Sequence, residues 1–166
     1  ERSALQERAD RFLELVNAST QAISTVEQEA LWAAATDVTP AHDAAAEAAS
    51  KSRAAFTGNP ALIGEARALL ERRAELAPLA VRQLERVLLN AAEGPMTDPE
   101  LVRARIEAET RQLSTMNAFA FTLDGQPITP NQLDERLETL TDLDARRAVW
   151  EASKQSGPAL RAGLAE

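Results

Sequence analysis

The sequence predicts an all-α fold of antiparallel helices joined by short turns, with a long first helix and at most one small hairpin near residues 119–128. Composition is the first observation, because 45% of the 166 residues are hydrophobic and only 4% are aromatic. Alanine, the best helix former, supplies much of that apolar fraction. The second observation is a recurring capping residue followed by proline, which begins a helix cleanly. These pairs are Thr39-Pro40, Asn59-Pro60, Asp98-Pro99 and Thr129-Pro130.

The first predicted helix runs from about Ser3 to Asp37 without Pro or Gly. Its apolar residues recur at spacings of three and four or their sums, which is typical of one helix face. The predicted stripe comprises Leu5, Phe12, Leu15, Val16, Ile23, Val26, Ala30 and Ala33. At about 1.5 Å per residue the helix would be roughly 50 Å long.

Further helices follow the capping pairs. We expect them over about 40–56, 60–76, 99–116 and 130–140, with another beginning at Pro78 and ending at Gly94-Pro95. The apolar stripe of the helix after Pro78 comprises Leu79, Leu84, Val87, Leu88 and Ala91. Unequal spacing of the capping pairs argues against a repeat architecture.

One stretch is strand-like. Phe119, Phe121 and Leu123 alternate ahead of an Asp124-Gly125 turn, which predicts a short hairpin over 119–128. Proline at position 127 predicts a weak second arm.

The last segment, Thr141–Leu160, is predicted to be a helix capped by Thr141, with Asp144 at the third position, and to break at Gly157-Pro158. Trp150 and Trp32 are the two tryptophans, and a Trp on a helical stripe usually packs into a core. The chain begins at Glu1 and stops inside a periodic run at Glu166, so we expect a piece of a larger protein.

Charge and composition exclude several classes of function. The net charge is −8 and the arginines are interspersed with glutamates, so neither nucleic acid nor an anionic membrane surface is an expected partner. No apolar run approaches the roughly 20 residues of a membrane span. The chain has no cysteine, which rules out disulfides and thiolate metal sites.

No residue pattern predicts catalysis or a metal site in this chain. The single histidine, His42, is expected to be an exposed residue of a first helical turn. Asp142 and Asp144 are expected to stabilise a helix N-terminus, and carboxylates such as Glu27 are expected to be solvated. The tripeptide Asn17-Ala18-Ser19 matches a glycosylation sequon but lies in a helical pattern.

Lys154 follows Trp150 by four residues on the same helix face. Two interpretations stay open: a weak anion-binding contact formed with nearby arginines, or a surface lysine lying over the Trp ring. The residues alone favour the second.

The string TDLDARRAVWEASKQSGPAL at Thr141–Leu160 resembles a stretch of the angiotensin-converting-enzyme-like family, the peptidyl-dipeptidase A zinc metallopeptidases, and is closest to bacterial members. Trp150-Glu151 is the most specific match. Ala9–Thr39 resembles the family's long first helix, Ala68–Pro95 its helical lid, and Leu123–Arg147 the approach to the Trp-Glu motif.

The resemblance implies an N-terminal segment of a zinc-dependent enzyme that removes C-terminal dipeptides from short peptides. It implies a lid over about residues 1–95 and the start of a scaffold over about 96–166, as one helical segment. Zinc would be bound by a His-Glu-x-x-His helix and a further Glu outside this chain, so the segment itself would contain no catalytic or metal-binding residue. Animal members have Arg where this chain has Lys154 and a second Trp where it has Ser153, so at most a weak chloride contact is implied.

The family resemblance also implies a periplasmic or secreted protein. The alternative from another class is a stand-alone helical protein-interaction module. For a lid cut from its scaffold, apolar helix faces left uncovered favour association, and we expect the segment to be able to form homodimers.

Overall fold

The computed structural model describes residues 3–92 and 98–165 and shows an all-α protein with one small hairpin. The chain divides into two compact units, Glu1–Glu107 and Ala108–Glu166. The predicted helix stop at Gly94-Pro95 and both chain ends lie outside the described residues. The division into a lid and a scaffold stays a prediction.

In its described residues, the first unit contains four α-helices and the beginning of a fifth. They are α1 (Ala4–Thr36), α2 (Pro40–Thr57), α3 (Pro60–Glu71), α4 (Pro78–Ala92) and the first part of α5 (Pro99–Asn117). Short connections return the chain, so that α1 packs against α2, α3 against α4, and α4 also contacts α1 and α2. With 33 residues, α1 is about 50 Å long, as its uninterrupted pattern predicts.

Three predicted capping residues, Thr39, Asn59 and Asp98, are confirmed in the first unit. The hydroxyl of Thr39 accepts a hydrogen bond from the His42 amide, and the Asn59 side chain accepts one from the Ala61 amide. Asp98 caps α5 in the same way by accepting from the amides of residues 100 and 101. Each side chain thereby satisfies backbone N–H groups that a helix end leaves without partners.

The core of the first unit is built from small and aliphatic side chains. Its buried members are Ala9, Leu13, Ala66, Leu69, Leu76, Ala80, Val81 and Leu84. Four of the eight are Ala or Val, and none is aromatic, as the composition predicts.

Three residues of the predicted apolar stripes lie in solvent instead. Leu15 and Val26 of α1 are 61% and 59% exposed, and Leu79 of α4 is 60% exposed. The face that α1 buries contains Ala9, Leu13 and Val16, and Leu15 is turned about 100° from Val16. Alanine occupies many of the contact positions, so apolar spacing alone did not define the buried face. Trp32 was expected in the core but is 72% exposed.

The third helix is shorter than predicted. It ends at Glu71, and a single 3-10 turn over Arg73–Glu75 leads to Pro78, whereas the pattern predicted helix to about Leu76. The Arg72 side chain donates two hydrogen bonds to Glu75, at 2.7 and 2.6 Å, which stabilise this turn.

The second unit contains the end of α5, a hairpin and three short helices. The hairpin pairs β1 (Phe121–Leu123) with β2 (Gln126–Ile128) antiparallel, and α6 (Pro130–Thr139), α7 (Leu143–Ser153) and α8 (Ser156–Leu160) follow. Asp124 and Gly125 have φ of 52° and 77°, the two positive values that a tight hairpin turn requires. The predicted hairpin and the Thr129 cap, here a capping box with Gln132, are confirmed.

Two details of the prediction for residues 141–160 were wrong, namely the capping residue and the position of the helix break. Asp142, not Thr141, caps α7, because its carboxylate accepts a hydrogen bond from the Ala145 amide at 2.8 Å. The chain leaves the helix at Lys154-Gln155, before the predicted break at Gly157-Pro158, which lies inside α8. A proline is tolerated there because the first residues of a helix need no N–H donor.

The core of the second unit joins the hairpin to α6 and α7. Ile128, Leu133, Val149 and Ala152 are buried in it, and Phe121, Leu123, Leu137 and Leu140 pack around them. Val149, next to Trp150 in the sequence, is therefore the core residue of α7, and Trp150 points elsewhere.

Candidate functional site

The outward face of α7 carries the residues that the sequence singles out. Leu143 and Trp150 are seven residues apart on one side of the helix and are 78% and 54% exposed. Val149 and Ala152 lie on the opposite, buried side. Trp150 was expected to pack into a core, and it instead presents its indole to solvent because Val149 occupies the core position.

Lys154 extends along this face. Its Nζ atom lies 5.6 Å from the centroid of the Trp150 ring, within the range of a cation–π contact. Of the two interpretations left open by the sequence, this is the geometry of a surface lysine over a ring. Glu151, the second residue of the Trp-Glu match, accepts a hydrogen bond from Arg147 Nε at 2.9 Å. The face thus combines two apolar side chains with cationic groups on an acidic protein.

Two residues after α7, the Gln155 side chain forms hydrogen bonds with the hairpin. Its side-chain oxygen accepts a hydrogen bond from the Thr122 amide at 3.0 Å, and its side-chain nitrogen donates to the Thr122 carbonyl at 2.7 Å. Thr122 is paired with Pro127 at a position of the antiparallel ladder where backbone groups point away from the partner strand. The backbone N–H and C=O of Thr122 therefore bond to Gln155 as they would to a neighbouring strand. This contact joins the outer edge of β1 to the end of α7, and no local pattern in the sequence predicts it.

A buried carboxylate in the first unit was also missed. Glu27 on α1 is only 5% exposed, although it was expected to be solvated. Arg53 Nη1 on α2 donates to its Oε2 atom at 3.1 Å. Buried carboxylates are normally paired, because desolvating an isolated charge is costly. Glu27 falls on the same side of α1 as the core residues Ala9 and Val16, and that spacing is the signal that could have revealed it.

Ion pairs on the surface shift the pKa of one glutamate and of one lysine in the first unit. Hydrogen bonds from Arg72 hold the pKa of Glu75 below its ordinary value. Hydrogen bonds to Glu107 and Glu47, in that order of effect, raise the pKa of Lys51. Lys51 lies 2.5 Å from Glu107 and 2.7 Å from Glu47, so it links α2 to α5 within the first unit.

The remaining sequence candidates have structural settings without catalytic chemistry. His42 Nδ1 lies 2.7 Å from the Asp37 carbonyl oxygen at the start of α2. Asn17, the sequon residue, is on the exposed surface of α1 at the rim of a cavity of about 110 Å³.

Within residues 3–92 and 98–165, no three His, Asp or Glu side chains come together as a group that could hold a metal ion. The family resemblance places its zinc ligands outside this chain, so these residues are not expected to hold that metal. None of the helices described here has the combined length and apolar character of a membrane span.

Comparison with known proteins returns nothing that extends this description. No family model, curated protein or solved structure matches the chain. The class defined by the fold is therefore a two-unit, all-α protein with a small hairpin, and its function rests on its own residues.

Proposed function

We propose that the chain is the N-terminal lid and the start of the scaffold of a zinc-dependent peptidyl-dipeptidase, catalytically silent by itself. The observation that carries the proposal is the similarity of Thr141–Leu160, above all Trp150-Glu151, to that enzyme family. In the intact enzyme, zinc would activate a water molecule to attack the scissile amide of a short peptide. The protein would be periplasmic or secreted.

The surface of α7 supports this assignment. Leu143 and Trp150, on one side of α7, are 78% and 54% exposed. Exposed aromatic and aliphatic side chains near one another are typical of a surface that another part of a protein covers. The catalytic body would supply that cover, with Trp150 at the junction.

The length of the coding sequence tests the proposal most directly. Continuing past Glu166, it should encode His-Glu-x-x-His within a few hundred residues. The protein made from that longer sequence should release C-terminal dipeptides from short peptides, lose the activity with a chelator, and contain zinc. The 166-residue chain should have neither zinc nor activity. A stop codon close to Glu166 would refute the proposal and would favour the stand-alone interaction module.

Chloride dependence is a separate matter, because Lys154 replaces the Arg of animal members. Lys is cationic but lacks the planar fork of Arg, and here its ammonium lies over the Trp150 ring. We expect Lys154 to make at most a weak anion contact. Chloride titration of the longer enzyme should therefore differ little between the wild type and Lys154→Ala, and a large loss of chloride response in the variant would contradict this expectation.

A further inference from the structure

The outward face of α1 has an internal symmetry. Its exposed side opposite the core contains Leu15, Ala18, Ala22 and Val26, and the large members Leu15 and Val26 are 61% and 59% exposed. Arg11 lies before this apolar stretch and Glu29 lies after it. All six positions fall within about 80° of one another around the helix axis.

These positions are arranged symmetrically about the level of Thr20. Ala18 and Ala22 are two residues from it, which corresponds to about 3 Å along the axis. Leu15 and Val26 are about 8 and 9 Å away on opposite sides. Arg11 and Glu29 are nine residues away in each direction, about 14 Å.

A second copy of α1 running in the opposite direction would therefore meet complementary groups. Leu15 of one copy would face Val26 of the other, and Arg11 would face Glu29. The central alanines would let the two backbones approach closely, since small side chains reduce the distance between helix axes. A parallel arrangement would instead place Arg11 against Arg11 and Glu29 against Glu29.

Both charged groups are available for this pairing. Arg11 is 72% exposed, and its contact with Glu7 is a loose one of 3.8 Å. Glu29 is exposed and, among the residues that the structure describes, has no hydrogen bond or ion pair. Charge complementarity thus favours a second copy of this chain over other partners.

We propose that the outward face of α1 is the interface of an antiparallel, twofold-symmetric homodimer centred at the level of Thr20. The inference stands apart from the proposed function, because it concerns a different unit from α7. The interface involves one helix face about 27 Å long from Arg11 to Glu29. That is smaller than a standard protein–protein interface, so the dimer is weak, with a dissociation constant of roughly 10 to 500 µM.

Sedimentation velocity on the 166-residue chain, over roughly 5 to 1000 µM, tests the proposal. Val26→Glu should weaken association at least about tenfold. Leu79→Glu is the matched control, because it adds the same charge at an equally exposed apolar residue of α4, and it should leave association unchanged. Circular dichroism checks that each variant keeps its helix content.

Charge reversal tests the antiparallel arrangement. Arg11→Glu and Glu29→Arg should each weaken the dimer about tenfold, since each opposes like charges at two symmetry-related places. The double variant restores opposite charges and should return the dissociation constant to within about threefold of the wild type. A wild type that stays monomeric throughout, association unaffected by Val26→Glu, or a double variant no stronger than the single ones would each overturn the proposal.

Discussion

Replacing Arg53 by Met should destabilise the packing of α1 against α2 by about 2 kcal/mol. Arg53 is the partner of the buried Glu27 carboxylate, at a distance of 3.1 Å. Without the guanidinium, the Glu27 carboxylate would lack its partner in a site where its side chain is only 7% exposed. The cost arises from the carboxylate that is left behind rather than from the arginine that is lost.

The size of the effect follows from how unequally the two partners are buried. A hydrogen bond to a charged group contributes about 1.5–3 kcal/mol, and stranding one member of a fully buried pair costs about 3–5 kcal/mol. The Arg53 side chain is 46% exposed, so water screens the pair and the lower end applies. Glu27→Leu leaves behind an arginine that water can solvate, so it should cost less than about 1 kcal/mol.

Urea denaturation followed by circular dichroism would measure both variants, with hydrogen exchange on α1 and α2 peptides to locate the effect. Arg73→Met is the matched control. Its guanidinium lies 2.8 Å from Glu85, but the two side chains are 62% and 47% exposed. Its loss should cost less than about 1 kcal/mol. The reasoning is refuted if Arg53→Met costs no more than this control, or if Glu27→Leu costs as much as Arg53→Met.

Three smaller predictions concern single contacts. Gln155→Ala should remove both bonds to Thr122 and cost about 1–2 kcal/mol, with faster hydrogen exchange of the Thr122 amide. Glu at position 155 can accept a hydrogen bond but cannot donate one, so the exchange rate of the Thr122 amide in Gln155→Glu should lie between those of the wild type and Gln155→Ala. Equal exchange rates in all three proteins would contradict this prediction. Gly125→Ala should cost about 1 kcal/mol in thermal unfolding, since φ is 77°; an unchanged midpoint would count against it. Because Arg72 lowers the folded-state pKa of Glu75, the pair's stabilisation should be present above the unfolded-state pKa of Glu75 and be lost as pH falls through the folded one. NMR titration should show the pKa rising in Arg72→Gln and unchanged in Arg67→Gln.

Local signals in the sequence located the helix starts well. Thr39, Asn59, Asp98 and Thr129 cap helices as predicted, because a capping side chain bonds to amides only two or three residues away. The Asp124-Gly125 turn was predictable for the same reason, since positive φ at adjacent residues restricts the residue types. The prediction that Thr141 caps α7 was wrong because Thr141 and Asp142 are both good capping residues, and the position of the first helical turn selects Asp142.

The buried faces were harder to predict. In an alanine-rich helix, the face that is buried depends on the shape of the neighbouring helices, so Leu15, Val26 and Leu79 could be exposed while Ala9 and Ala66 are buried. Periodicity ranks positions by side-chain type and cannot detect that a small residue permits closer contact. Trp32 and Trp150 show the same limit, because their size predicts burial and their helix positions oppose it.

The sequence by itself determined the all-α class, the capped helix starts, the hairpin turn and the Trp150-Glu151 string on which the proposed function rests. These depend on residues close together in the chain, where local hydrogen bonding and backbone preference decide the structure. Only the tertiary structure decided that Arg53 pairs with a buried Glu27, that Gln155 bonds to Thr122, and that Trp150 faces outward. Those contacts join residues that are distant in sequence, and they form only because packing brings separate elements together.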